Sequence, residues 1–200
     1  MKIKRSLALF LCSILLFTGC SHESRQEVSK TFFAMDTVMN FSVYGDEKIL
    51  DQTETIISDL ESQMSVTDSS SQIAALNKNG SVTLTGDTRT LVQKALSLCE
   101  RTNGALDLSI YPIVRAWGFT TGKYQVPDDD TISSLLPLVD YKQIQYEPKS
   151  GEISLPNDME IDLGSVAKGY AGQKVADYLK ENGVTSGLLS LGGNIQAIGS

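Results

Sequence analysis

The stretch from Met159 to Gly183 limits the fold most, because it commits the chain to an extended run, a tight glycine turn and a long helix in immediate succession. Met159-Glu160-Ile161-Asp162-Leu163 reads as a short strand. Ser165 suits the N-cap of a helix, and Ala167, Ala171, Val175, Tyr178 and Leu179 then recur at helical spacing. Asn182-Gly183 closes that helix. A helix opening at Ser165 offers unpaired N–H groups and the positive end of its dipole, with Lys168 in the same turn, and an anion is attracted there. Asp162, at the end of the strand, suits a ligand hydrogen bond or a divalent cation, and Gly164 and Gly169 let a ligand or a neighbouring backbone come close. The same residues also suit a capped strand-to-helix turn with no ligand, and no G-x-x-x-x-G-K-[ST] phosphate loop is present.

The rest of the chain alternates irregularly between the two periodicities. Thr37 to Tyr44 reads as a strand through Val38, Phe41 and Val43. Ile49, Leu50, Thr53, Ile56, Ile57, Leu60 and Met64 mark a helix from about Glu47 to Gln63. Shorter elements follow: a helix over Ser69–Asn77, a strand over Ser81–Leu84, a helix over Asp87–Thr102 and a helix from Pro127 to Leu135 whose three leading aspartates match its dipole. Lys142–Tyr146 and Glu152–Leu155 predict a hairpin, and so do the two runs flanking Gly192-Gly193-Asn194. Trp117 and Phe119 are expected as core anchors around Gly118. Frequent hairpins favour an α+β fold with a largely antiparallel sheet and packed helices. The last hairpin lacks a partner element, so the domain over 31–200 is expected to be the N-terminal portion of a longer one.

Met1 to Gly19 reads as a targeting segment: Lys2, Lys4 and Arg5 precede an apolar run from Leu7 to Phe17 that is too short for the roughly 20 residues of a membrane span. Thr18-Gly19-Cys20 resembles a bacterial lipobox, with Cys20 as the lipidated residue, and residues 20–30 look like a polar tether. An extracytoplasmic protein lipid-anchored to the cell membrane follows as the expectation. Cys99 falls on the helical stripe of Leu91, Val92 and Ala95, a core position, which leaves no disulfide within one processed chain. His22, the only histidine, lies in the tether, so this stretch offers no histidine-based nucleophile or metal site. With Lys2, Lys4 and Arg5 removed, 14 of the 17 basic residues face 24 acidic ones, a net of −10, and nucleic acid is excluded as a partner.

Four landmarks occur in one order: Ala34-Met35-Asp36-Thr37, Gly104-Ala105-Leu106-Asp107, Trp117-Gly118-Phe119, and the run Asp162 to Ala171 followed by Leu191-Gly192-Gly193-Asn194. In this the chain resembles the ApbE family of FAD:protein FMN transferases from Thr31 to Ser200. The resemblance implies FAD as substrate, Mg²⁺ as cofactor, and transfer of FMN through a phosphoester bond to a threonine or serine hydroxyl of an acceptor protein, with AMP released. It implies that Asp162 and Lys168 contact FAD, that Ser165 offers Mg²⁺ its backbone carbonyl, that Met35 packs on the flavin nucleotide and that Ala105, Leu106 and Asp107 line the adenosine end. From sequence alone Met35 is equally an apolar contact beside a strand, and Asp107 a turn or cap residue. Gly192 and Gly193 shape the site as a hairpin turn. Two departures stand out: Thr67 where many members have a tyrosine able to stack on adenine, and Asp36 where glycine is common. The family's remaining metal ligands and its histidine near the reaction centre belong to a C-terminal part beyond this sequence. The expected acceptor carries an FMN-binding domain in an extracytoplasmic electron-transfer complex. The alternatives are an FAD pyrophosphatase yielding FMN and AMP, and a non-catalytic FAD-binding lipoprotein.

Overall fold

A computed structural model describes residues 26–199, so the targeting segment and Cys20 lie outside the described residues. Strand β1 spans Glu27–Ala34 and β2 spans Thr37–Tyr44, paired antiparallel so that Ala34 faces Thr37. Met39, Phe41 and Val43 of β2 are fully buried. Val38 is on the opposite, solvent face, where it pairs with exposed Phe33, so the inward set is one residue out of step with it. The inward set of β1 includes Lys30, whose ammonium lies 2.8 Å from both Asp51 and Glu54. Residues 27–30, expected as tether, are therefore sheet.

Helix α1 (Ile49–Met64) buries Leu50, Ile57, Leu60 and Met64. After it come α2 (Gln72–Asn79), capped by the Ser71 hydroxyl, and the short strand β3 (Ser81–Thr83). Helix α3 (Gly86–Arg101) buries Leu91, Val92, Ala95 and Cys99, which places that thiol in the core. A 3-10 turn at Leu108–Ile110 leads into α4 (Tyr111–Ala116), and α5 (Asp129–Leu135) is capped by the Asp128 carboxylate, which accepts the Thr131 N–H at 2.7 Å. Strands β4 (Gln145–Tyr146) and β5 (Glu152–Ser154) join β3 in a small antiparallel sheet of order β3-β5-β4.

Helix α6 (Gly164–Glu181) and the hairpin of β6 (Gly187–Leu191) and β7 (Asn194–Ile198) complete the described chain, and the larger sheet has order β1-β2-β6-β7. Helices α1 and α6 pack on one another and against that sheet. Side chains such as Ile57, Leu60, Val175 and Leu179 are almost wholly removed from water. Each contributes roughly 1.5–3 kcal/mol, so the shared α1–α6 layer is a large part of what stabilises the fold.

The expected strand over Met159–Leu163 does not form. Side-chain and loop groups bind the segment instead of a sheet neighbour: the Ile161 N–H donates to Asn77 Oδ1 at 2.8 Å, Asn77 Nδ2 donates to the Ile161 carbonyl at 2.9 Å, and the Asp162 N–H donates to the Leu108 carbonyl at 2.9 Å. Trp117 and Phe119, expected in the core, are 37% and 59% exposed.

Candidate functional site

The start of α6 lies two residues earlier than the sequence suggests, with the capping position at Leu163 and not at Ser165. Leu163 makes no side-chain cap bond, and Ser165 is inside the first turn and exposed. In that position its carbonyl is directed along the helix toward the N–H four residues on. The side chain that meets the helix start is that of Asp162. A Cβ added at Gly164 would sit 2.9 Å from Asp162 Oδ2, so glycine is what lets the carboxylate fold back over the turn. Burial pushes the Asp162 carboxyl above the ordinary aspartate value, against the pull of the Gly164 and Leu163 amides and of the Lys168 charge. Part of the positive end of the helix is thus satisfied within the chain, leaving Lys168 as the full positive charge on this wall.

The facing wall is the turn between β1 and β2. Met35 and Asp36 have φ of 48° and 56°, left-handed values for two residues that have side chains. A two-residue hairpin of this kind needs positive φ at both positions, at a cost of roughly 1–2 kcal/mol for each non-glycine residue. The turn is held by α1, because the Met35 N–H donates to Glu61 Oε1 at 2.9 Å. Strain over-determined by its surroundings is typical of a binding wall.

Between these walls lies a half-open cleft of about 230 Å³, lined by Met35, Asp36, Glu61, Thr67, Phe119, Asp162, Gly164 and Lys168 among others. That is below the ~300–1,000 Å³ usual for a drug-sized ligand, so it takes part of a large ligand and leaves the rest on open surface. Larger hollows exist, and one of about 550 Å³ lies over the β3-β5-β4 sheet and shares no lining residue with this cleft.

The structure therefore gathers Met35, Asp162 and Lys168 into one place. Ala105, Leu106 and Asp107 are not in the cleft lining. Asp107 caps the 3-10 turn, its carboxylate accepting from the Ser109 N–H and hydroxyl and from the Tyr141 N–H at 3.0 Å, which is the cap role open to it from sequence alone. The loop remains linked to the site because Leu108 binds the Asp162 backbone. Glu61 and Phe119 line the cleft without having been expected there. Glu61 carries no sequence signal, being one more acidic residue on an amphipathic helix. Phe119 follows a glycine with φ of 80°, a turn signal that argues for display more than for burial.

Metal-binding capacity is limited. Among the described residues no three acidic, histidine or cysteine side chains gather into a group able to hold an ion. Mg²⁺ requires about six oxygens, so the described side chains alone do not make its site.

The sequence profile of the ApbE family matches residues 35–200. The FAD:protein FMN transferase of Vibrio cholerae is 28% identical across 98% of this chain and 61% of its own length. That of Treponema pallidum is 26% identical across 96% of this chain and 58% of its own. Among solved structures, an ApbE protein from Thermotoga maritima superposes with a TM-score of 0.81 at 26% identity, covering 87% of this chain and 59% of that one. The flavin transferase ApbE from Vibrio cholerae has the same fold, with a TM-score of 0.77 at 23% identity over 87% of this chain and 60% of its own. The chain thus spans 58–61% of the length of these proteins.

Proposed function

The chain belongs to the ApbE family, and we propose that it carries the FAD-binding part of an extracytoplasmic FAD:protein FMN transferase, lipid-anchored through Cys20. The observation that carries this reading is the convergence of Lys168, the half-buried Asp162 and the strained Met35–Asp36 turn on one cleft. In the proposed reaction a threonine or serine oxygen of the acceptor bonds to the flavin-side phosphorus of FAD. The bond from that phosphorus to the bridging oxygen breaks, AMP leaves with that oxygen, and the hydroxyl proton passes to solvent. Lys168 holds the diphosphate and offsets its charge, Met35 packs against the flavin nucleotide, and the partial positive charge of the α6 start adds to the attraction. Catalysis of this kind is mainly positioning and charge stabilisation.

Mg²⁺ belongs to the proposal through the family resemblance. An ionised Asp162 beside a diphosphate would repel it, and a divalent cation removes that conflict. Such an ion takes most of its oxygens from phosphate and water when protein ligands are few.

The acceptor is proposed to be an FMN-binding domain of an extracytoplasmic electron-transfer complex. The test incubates the full chain with FAD, Mg²⁺ and such a domain, followed by denaturing electrophoresis. A fluorescent acceptor band supports transfer. Free FMN and AMP without a labelled acceptor indicate hydrolysis, and intact FAD that is bound but not consumed indicates a binding protein.

A further inference from the structure

The cleft has one surface that its charges do not use: the exposed ring of Phe119. The Trp117 and Phe119 rings are stacked, with centroids 6.3 Å apart and planes 12° from parallel, and Tyr124 meets Phe119 edge-on at 6.0 Å. Isolated exposed apolar residues are ordinary on a protein surface. Here Phe119 is the middle ring of three, stacked on Trp117 and met edge-on by Tyr124, and it is still 59% exposed and lines the cleft.

The loop that displays them is tightly built. Gly118 has φ of 80°, and a Cβ there would lie 2.0 Å from the Lys123 carbonyl oxygen, so the chain doubles back against itself. The Gln125 N–H donates to the Trp117 carbonyl at 3.1 Å and the Gln125 side-chain amide donates to the Ala116 carbonyl at 2.9 Å. Thr120, next to Phe119, is met by the Tyr111 hydroxyl at 3.3 Å. Trp117 thus backs one face of Phe119 and fixes its plane, while the flexible thioether of Met35 lines the same cleft. A rigid, backed ring beside a lysine fits a ligand that combines a planar aromatic group with phosphate.

We propose that Phe119 is a stacking platform for a planar heterocycle of the bound dinucleotide, with Trp117 as the positioning residue behind it. This rests on the reading of the cleft as an FAD site. Both the isoalloxazine and the adenine of FAD have the required chemistry, and separate titrations with FMN and AMP distinguish them.

Calorimetric titrations of the full chain with FAD, FMN and AMP, on wild type, Phe119→Ala, Phe119→Leu and Phe119→Tyr, test the idea, with melting temperatures confirming that each variant is folded. Stacking on an aromatic ring predicts that Phe119→Ala weakens FAD on the order of tenfold, that Phe119→Leu weakens it nearly as much despite its apolar bulk, and that Phe119→Tyr stays within about twofold. An equal loss for FMN identifies the flavin ring, and an equal loss for AMP identifies adenine. Wild-type FAD affinity in Phe119→Ala and Phe119→Leu would overturn the platform while leaving the proposed function standing. The same is true if those variants bind FAD normally but label the acceptor poorly, since the face would then contact the acceptor. If wild type itself binds no FAD, both proposals fall.

Discussion

Gly192→Ala should be far more disruptive than Gly193→Ala, although the two glycines share one hairpin turn. Both have positive φ, 60° and 93°, so alanine at either position is strained, by roughly 1–2 kcal/mol. Only Gly192 is also crowded. Its added Cβ would lie 2.2 Å from Thr37 Oγ1, 2.6 Å from Thr37 Cγ2 and 2.7 Å from Thr37 Cβ, whereas nothing approaches within 4 Å at Gly193. Rotating Thr37 cannot relieve a contact with its own Cβ, so β2 must shift, and overpacking of this kind costs roughly a further 1–3 kcal/mol. At about 2–4 °C for each kcal/mol in a domain of this size, Gly192→Ala should melt several degrees below Gly193→Ala. Thermal unfolding followed by circular dichroism measures the difference. Adding Thr37→Ala to Gly192→Ala removes Oγ1 and Cγ2 but keeps the Cβ, so partial recovery is expected. Thr37 follows the Met35–Asp36 turn directly, so the shift also reaches the cleft and FAD affinity should fall with stability. Equal melting temperatures for the two glycine variants would refute the reasoning.

Two further substitutions probe α6, one at its start and one where it meets α3. The Asp162 carboxyl binds its proton more tightly in the folded chain than in the unfolded one, so stability falls as pH rises from the ordinary aspartate value through the raised one and stays at the lower level above it. Asp162→Asn should remove that slope and leave neutral-pH stability equal or higher while weakening Mg²⁺-dependent FAD binding; urea unfolding across the acid range checks it, and a less stable variant at neutral pH contradicts it. Tyr170→Phe deletes the hydroxyl that donates to Asp87 Oδ1 at 2.6 Å, beside Lys174 at 3.1 Å, a group of contacts tying α6 to α3. Because Asp87 is partly open to water, the loss should be roughly 1 kcal/mol, or about 2–4 °C, and an unchanged melting temperature would show that the contact contributes nothing.

What could be read from the sequence divides along physical lines. The hairpin around Gly192-Gly193, the strand Thr37–Tyr44 and the helices ending near Met64, Arg101 and Glu181 were legible, because each has its own period and its own stop residue. Strand β1 was hidden by Lys30, a charged residue at an inward position that only the distant Asp51 and Glu54 make tolerable. The segment before α6 reads as a strand because Met159, Ile161 and Leu163 alternate with acidic residues, but Asn77, far away in sequence, supplies partners that a sheet would have supplied. That Asp162 and Lys168 lie together was legible from their spacing around the helix start. The facing wall was legible only in part: Met35 came from the family resemblance, whereas its left-handed turn, Glu61 and Phe119 depend on how separate elements meet. Trp117 and Phe119 read as core anchors around Gly118 because they are large and aromatic, but that glycine builds the turn that brings them to the surface.

A calorimetric titration of the full chain with FAD in the presence of Mg²⁺, repeated with Lys168→Ala, tests whether the dinucleotide docks at the start of α6. Saturable uptake by wild type that weakens with added salt, and a loss on the order of tenfold or more without Lys168, is the predicted result. Equal affinity in the two proteins, or no uptake by either, would contradict it.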